Sequence, residues 1–560
     1  MKKLFLLVLP IFALLYYILS ENKVYYPAPD NGETEVKLDA EEGDKTKKLK
    51  WFALLHQAAP GVSWREMEQN NAIENQNIIN SIRKNASSNR NDDEMVAGGN
   101  ILGSWYERGS SNQSGNVISS AYDKKTDEIF MLSGGGSLFK GNRSGLGWEV
   151  INHDLRFSSN LMECVFMPDG KRRLLASVNH RPYYSDDDGV NWSESTGIIG
   201  IGEGYLYHPK ISSGRQLFFL QKSSYWAPIH LYSSVDLGES YQKIINFNTH
   251  DDRNIAMDID KANDDIYVIS QKAGNQSDIY KFKASDNSLS LLTPDSPIGF
   301  GEDGSANLNV VNKNGIVSFY VYDGQQKLHV SEDLGVTWTY LSTLPTRPWS
   351  VSLFVSPSNP KHMIYGEVDA YRSRDGGKTW LKINAWHEYY NNVNSKLHAD
   401  IMALKEFSDE DGRPFILISN HGGVSISYDY GVTNDNIGLF DLNVSQYYDV
   451  RSYPSDPNFV FAGSQDQGFQ KGFIPGTNPE PLVQVISGDY GHIVFTENGQ
   501  RLWTVYPGGW VTYYPTPDQV AVSHLMKSTQ MKKVYGFHPD CITRHGRKQR
   551  LHGRREYKRR

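Results

Sequence analysis

From Gly99 to about residue 515, apolar positions recur at every second residue in short runs broken by Gly, Asn, Asp and Ser. "NVISSAYD", "EIFMLSG", "RLLASV", "IYVIS", "IVSFYVY", "HMIYGEV", "FILISN" and "FVFAGS" are such runs. Successive side chains of a strand point to opposite faces, so this period predicts short half-buried strands joined by turns. No stretch of comparable length carries a helical period there, and the chain reads as all-β. Residues 51–98 differ. Ser63 and Glu66 stand at capping-box spacing, and Trp64, Met67, Ile78, Ile79 and Ile82 supply apolar positions. They predict a short N-terminal helical segment beside the main domain.

One pattern recurs inside the strand-rich region. Ser185-x-Asp187-x-Gly189-x-x-Trp192 is repeated as Ser331, Asp333, Gly335, Trp338 and as Ser373, Asp375, Gly377, Trp380. Two further copies change only the last place: Ser234, Asp236 and Gly238 with Tyr241, and Ser427, Asp429 and Gly431 with Asn434. The Ser and Asp side chains are suited to bonding nearby amides, Gly to a positive-φ position, and Trp to plugging an apolar gap. The role expected for these residues is structural, at the outer part of each repeat.

The copies start at 185, 234, 331, 373 and 427, separated by 49, 97, 42 and 54 residues. The longest gap holds a decayed copy near Ser285. Gly145 with Trp148 upstream, and Ser464, Asp466 and Gly468 downstream, read as worn copies at the two ends. A period of about 40–50 residues with several strands per repeat is that of a β-propeller blade. The length predicts about eight to ten blades in one large ring, or a seven-bladed ring plus part of a second.

The two ends have another character. Met1-Lys2-Lys3 precedes an apolar run from Leu4 to Leu19, sixteen residues, shorter than the roughly 20 needed to span a bilayer. Residues 1–20 therefore read as a signal peptide or signal anchor, and 21–50 as a charged linker. Export to a secreted or cell-surface location of a bacterium is expected. Any membrane contact would come only through that anchor. Residues 516–560 form an atypical basic tail; Cys541 to Arg560 carries nine Lys/Arg and one Glu, which reads as a truncated or frame-shifted end. The whole chain has a net charge of −7, so no nucleic-acid partner is expected. The two cysteines, Cys164 and Cys541, exclude a disulfide framework and make no metal spacing.

Chemistry concentrates in a few polar clusters at strand ends. "KLHADIMAL" places His398 and Asp400 two apart on a strand, hence on the same face. "ISNHGGVSIS" puts His421 in a tight turn, "SQDQG" offers Gln465 and Asp466, and "SGDYGHIV" offers Asp489 and His492. The four clusters either cap turns or converge at the mouth of the propeller. In the second case Asp400, Asp466 and Asp489 are the candidate catalytic acids. His398, His421, Gln465 and His492 are then the candidate ligand-binding residues. None has a diagnostic metal spacing, and no metal or other cofactor is expected.

The repeated motif resembles the Asp box, or BNR repeat, of sialidases, sortilin-type receptors and xyloglucan-active glycoside hydrolases. The opener "GSWYERGSSNQSGNVISSAYDKKTDEIFMLSGGGSLFKG", together with "FAGSQDQGFQKG" and "ISGDYGHIVF", is similar to the sortilin-like and xyloglucanase-like propellers of exported bacterial proteins. That resemblance implies a propeller and leaves activity open, since fold does not fix function. A sialidase would need an Arg-Ile-Pro segment that is missing; Arg181-Pro182 is a poor substitute. A xyloglucanase-like enzyme would need two opposed carboxylates, one of them in a D-x-G-G segment of an early blade. The corresponding "LSGGGSLFKG" has Ser133 in that place, and Asp466 is offset from the expected pattern. The first reading is thus a glycan- or protein-binding module, monomeric, with an extracellular glycan or peptide as partner. A glycoside hydrolase is the alternative.

Overall fold

The computed structural model describes residues 106–517 apart from short breaks, together with scattered positions before and after them. The leader, the charged linker, nearly all of the helical segment and the basic tail lie outside the described residues.

Among the described residues the chain forms nine four-stranded antiparallel sheets, each a meander in strict sequence order, and one two-stranded ribbon. The nine blades span 117–152, 157–194, 206–247, 255–296, 307–343, 353–384, 401–436, 447–486 and 493–530. The architecture is a β-propeller. The first strands of successive blades touch, which makes them the innermost.

The first seven blades close on themselves. Seven hydrophobic clusters separate them, one per seam. Phe130, Leu132 and Leu138 of blade 1 pack with Leu174 and Ala176 of blade 2, and so on round to Ile364 of blade 6 with Ile416 and Ile418 of blade 7. The seventh cluster completes the ring. Val117, Ile129, Met131 and Trp148 of blade 1 pack against Phe415, Leu417, Val424 and Ile426 of blade 7. Blades 8 and 9 share a separate core of Phe461, Phe469, Ile493, Leu502 and Tyr514. Of the two arrangements the spacing allows, the structure has the seven-bladed ring with part of a second.

Two features fix how the parts meet. Side chains on the inner strands join blades that are not neighbours: Lys405 on the innermost strand of blade 7 reaches past blade 1 to Glu163 of blade 2, at 2.8 Å. The stretch ahead of blade 1 is stapled to blade 8. Ser111 donates its amide to Glu480 O at 3.1 Å, and the Asn112 carboxamide exchanges bonds with the Leu482 backbone at 3.0 and 3.2 Å.

The five full or near-full copies of the repeated motif all join the third and fourth strands of blades 2, 3, 5, 6 and 7. In each, the Ser hydroxyl accepts the amide of the Gly four residues on, at 2.8–2.9 Å. The glycines have φ between 76° and 89°, which is why the position takes glycine. Trp338 and Trp380 each donate an indole N–H to a serine on the fourth strand of the preceding blade, at 2.9 and 3.0 Å. The motif therefore closes a turn and fastens a seam.

The stretch from Ser464 to Gly468 is a different turn and corrects its reading as a worn copy. It joins the second and third strands of blade 8, Asp456–Ser464 and Gly468–Phe473, and the Ser464 hydroxyl donates to Gly468 O at 3.0 Å instead of accepting its amide. Replacing Asp375 with alanine should remove the acceptor of the Lys378 and Thr379 amides and the Thr379 hydroxyl. The expected loss is about 1–2 kcal/mol in urea unfolding.

Candidate functional site

In an up-and-down blade, the turn between strands two and three and the connection from strand four to the next blade emerge at the same end. The turn between strands three and four emerges at the other. The repeated motif therefore occupies one end of the ring, and His421, Asp466, Asp400 and Asp489 all fall at the opposite end.

His421 sits in the two-residue turn of blade 7, between Pro414–Asn420 and Gly423–Ser427, with Asn420 opposite Gly423. This turn has no room to spare. A Cβ at Gly422 would lie 2.4 Å from that of His398, and Gly423 has φ of 108°. Asp466 occupies the equivalent turn of blade 8. Asp400 is the last residue of the connection from blade 6, and Asp489 lies in the connection to blade 9.

These residues form one cluster, with His421 buried and the three aspartates half-buried around it. His421 Nδ1 is 2.5 Å from Asp466 Oδ2 and 2.9 Å from Asp400 Oδ2. The Asp489 carboxylate accepts the Asp466 amide at 2.9 Å. Burial alone would keep the imidazole neutral, but the two carboxylates outweigh it and raise the His421 pKa to about 9. Asp489 holds its proton more tightly than an ordinary aspartate, because it is buried and faces the charges of Asp466 and Asp400. Two carboxylates thus share one imidazolium, with a third, of raised pKa, beside them.

His398 belongs to the second layer. It is buried, with Nδ1 3.2 Å from Ala399 O and Nε2 3.4 Å from the Tyr390 hydroxyl. Burial lowers its pKa, so it stays neutral. The expectation that His398 and Asp400 share a strand face is corrected. Both precede the strand, which begins at Ile401, and Asp400 takes a left-handed φ of 66°. His492 is not drawn in; it is exposed, and the nearest carboxylate to its Nδ1 is Asp449 at 3.9 Å. Gln465 contributes its backbone, donating to Gln446 O at 2.9 Å, while its neighbour Gln467 donates its carboxamide to His421 O at 3.3 Å and Ser114 O at 2.7 Å. Ser133, where the resemblance implies an acid, ends the second strand of blade 1 and accepts the Ser137 amide at 3.0 Å.

The pattern of alternation gave no sign of four aromatic residues at this site. Residues Trp386–Asn391 form a 3₁₀ turn between blades 6 and 7, a helical element the strand pattern does not predict. Glu388 holds it by accepting the Ala385 amide at 2.9 Å and pairing with Lys396 at 2.8 Å. It delivers Tyr390, whose hydroxyl donates to Asp466 O at 2.9 Å, and beside it the exposed Trp386. Trp349, in the connection to blade 6, is 37% exposed with its ring centroid 6.5 Å from that of His421. Tyr448 opens blade 8, is exposed, and feels the charges of Asp489 and Asp466 once burial has raised its pKa. A Trp-His-Glu-Tyr-Tyr run in a polar connection was the available signal for the first pair; nothing local marks Trp349 or Tyr448.

No family model matches the chain, and no curated protein matches it. Solved structures do. The GH74 xyloglucanase from Xanthomonas campestris is similar with a TM-score of 0.50 and 14% identity, over 74% of this chain and 68% of that one. A GH74 enzyme from Niastella koreensis gives 0.49 and 14%, over 77% and 68%. YCF48 bound to D1 peptide gives 0.36 and 14%, over 57% and 95%. At 14% identity the likeness to the Xanthomonas campestris enzyme is one of fold alone, and it agrees with the blades described above: this chain is a β-propeller protein.

Proposed function

We propose that the protein is an exported or cell-surface glycan-binding propeller whose ligand lies across the seam between blades 6, 7 and 8. The observation that carries this reading is the placement of Trp349, Trp386 and Tyr448, three exposed aromatic rings, around the Asp400–His421–Asp466 cluster. Sugar rings stack their C–H faces on aromatic planes, and carboxylates accept their hydroxyls. The Lys405–Glu163 pair between the inner strands of blades 7 and 2 occupies part of the ring's interior and favours a ligand at this end face. The similar xyloglucanase fold makes xyloglucan oligosaccharides the first probe. In calorimetric titration, Trp349→Ala and Trp386→Ala are each expected to weaken oligosaccharide binding about tenfold or more. Unchanged affinity in both variants, or no binding of any β-glucan or xyloglucan fragment by the parent, would remove this reading.

A hydrolase is the second reading, and one observation favours it. The Asp489 pKa is raised while its neighbour Asp466 faces an imidazolium, a difference in environment in the direction an acid and a base require. Against it, Asp466 is engaged by His421 and Ser133 leaves blade 1 without the implied acid. Release of reducing ends from a glucan panel, abolished in Asp466→Asn, would put hydrolysis in place of binding.

A further inference from the structure

The geometry points to a divalent transition-metal site formed by Asp400, His421 and Asp466, which ties blade 8 to the seven-bladed ring. One ligand atom from each of the three residues lies within 4.8 Å of the other two. Each residue comes from a different element: the connection into blade 7, the turn of blade 7 and the turn of blade 8. His421 Nδ1 carries at most one proton, yet two carboxylate oxygens crowd it at 2.9 and 2.5 Å. A proton on that nitrogen can bond only one of them well; a cation among the three atoms satisfies both carboxylates and the imidazole together.

A separate observation concerns Gln467, the residue after Asp466. It is 5% exposed, its amide nitrogen is committed to Ser114 O and His421 O, and its amide oxygen has no hydrogen-bond partner among the described residues. The Gln467 carboxamide thus lies against the His421 turn through its nitrogen and carries a buried oxygen with no partner among the described residues. Such a group is expected to find a partner in the folded protein, and an ion or its bound water provides one.

The donor set selects the class of ion. One imidazole nitrogen with two carboxylate oxygens suits Zn²⁺ or Mn²⁺, whereas Ca²⁺ prefers six to eight oxygens. Ligands at about 2.0–2.1 Å around a tetrahedral ion stand about 3.3 Å apart. The present separations reach that with shifts of under about 1 Å, and the imidazole gives up its Nδ1 proton as the ion enters. The site is independent of the glycan reading: it binds its ion whether or not a sugar is present.

The test uses the full chain, stripped with chelator and dialysed, then titrated with Zn²⁺, Mn²⁺ and Ca²⁺ separately. One equivalent of Zn²⁺ or Mn²⁺ per chain is expected, measured by calorimetry and elemental analysis, with a rise in melting temperature and a weaker response to Ca²⁺. His421→Gln and Asp466→Asn, which keep side-chain size, should each lose that equivalent at least a hundredfold in affinity. Their circular dichroism without metal must match the parent; if either fails this, Asp400→Asn replaces it. Loss of a visible Co²⁺ spectrum in the same variants is a readout that altered packing elsewhere would not produce. No uptake by the parent, or equal uptake by folded variants, overturns the proposal.

Discussion

Trp148→Ala is expected to lower the unfolding free energy by about 3–5 kcal/mol, the range for emptying a large buried aromatic site. Trp148 is 6% exposed and stands at the seam that closes the ring. Its indole N–H donates to the O of Ile437, the residue just past the last strand of blade 7, at 2.7 Å, across 289 positions of chain. Its ring lies flat on Gly141, where even a Cβ would come within 2.2 Å of it. Truncation therefore opens a cavity and leaves a buried carbonyl unpaired, at the one place where the first and last blades of the ring must find each other. The corresponding Trp338, which is only partly buried, fastens blades already adjacent in sequence. Trp338→Ala should cost less than half as much in the same urea titration. Equal losses would mean that ring closure contributes nothing particular at Trp148.

Replacing His421 with alanine in metal-free protein should cost about 3 kcal/mol, the lower end for breaking a buried pair, because it leaves the half-buried facing carboxylates of Asp400 and Asp466 without their cation. The damage should be greatest where blade 8 meets the ring, so proteolysis in the connection at 437–446 is the local readout. The pH dependence follows from the same contacts. The folded-state pKa of His421 is raised from the ordinary 6.5 to about 9 by Asp400 and Asp466, against the opposing effect of burial. Its contribution is thus fully present below about pH 6.5 and is lost as pH rises through about 9. Parent protein in chelator should lose stability across that window, and His421→Ala should show no such slope. A parent curve flat from neutral to pH 9 would show that the imidazolium is not what holds the two carboxylates together.

Alternation of apolar residues and the Ser-x-Asp-x-Gly-x-x-Trp spacing are local properties, and they were enough to determine the strands, the blade period and the turns between third and fourth strands. Glycine at 189, 238, 335, 377 and 431 answers to a positive φ, and serine four residues earlier to one amide, both within the turn itself; the same glycines also leave room for a side chain of the preceding blade, as Gly335 does for Ile279. The same reasoning misplaced Ser464 and Asp466, because a turn of similar composition can join different strands of a blade. It also put His398 and Asp400 on a strand, because the run "KLHADIMAL" looks alike whether the strand starts at 396 or 401. The number of blades in the ring was not legible either. Closure depends on whether Phe415, Leu417 and Val424 pack on Val117 and Met131, a contact between residues about 300 apart.

The candidate site is the extreme case. Asp400, His421, Asp466 and Asp489 were visible as separate polar clusters, but what joins them is a shared end of the propeller and the docking of blade 8 on blade 7. The exposed Trp349 and Trp386 arrive there on two different connections, and Tyr448 on the first strand of blade 8. Sequence alone determined a repeating β-scaffold and the turns that build it, since those rest on contacts within a few residues. The tertiary structure decided that the ring has seven blades and that an imidazole meets two carboxylates at its seam. Both rest on packing between segments far apart in the chain.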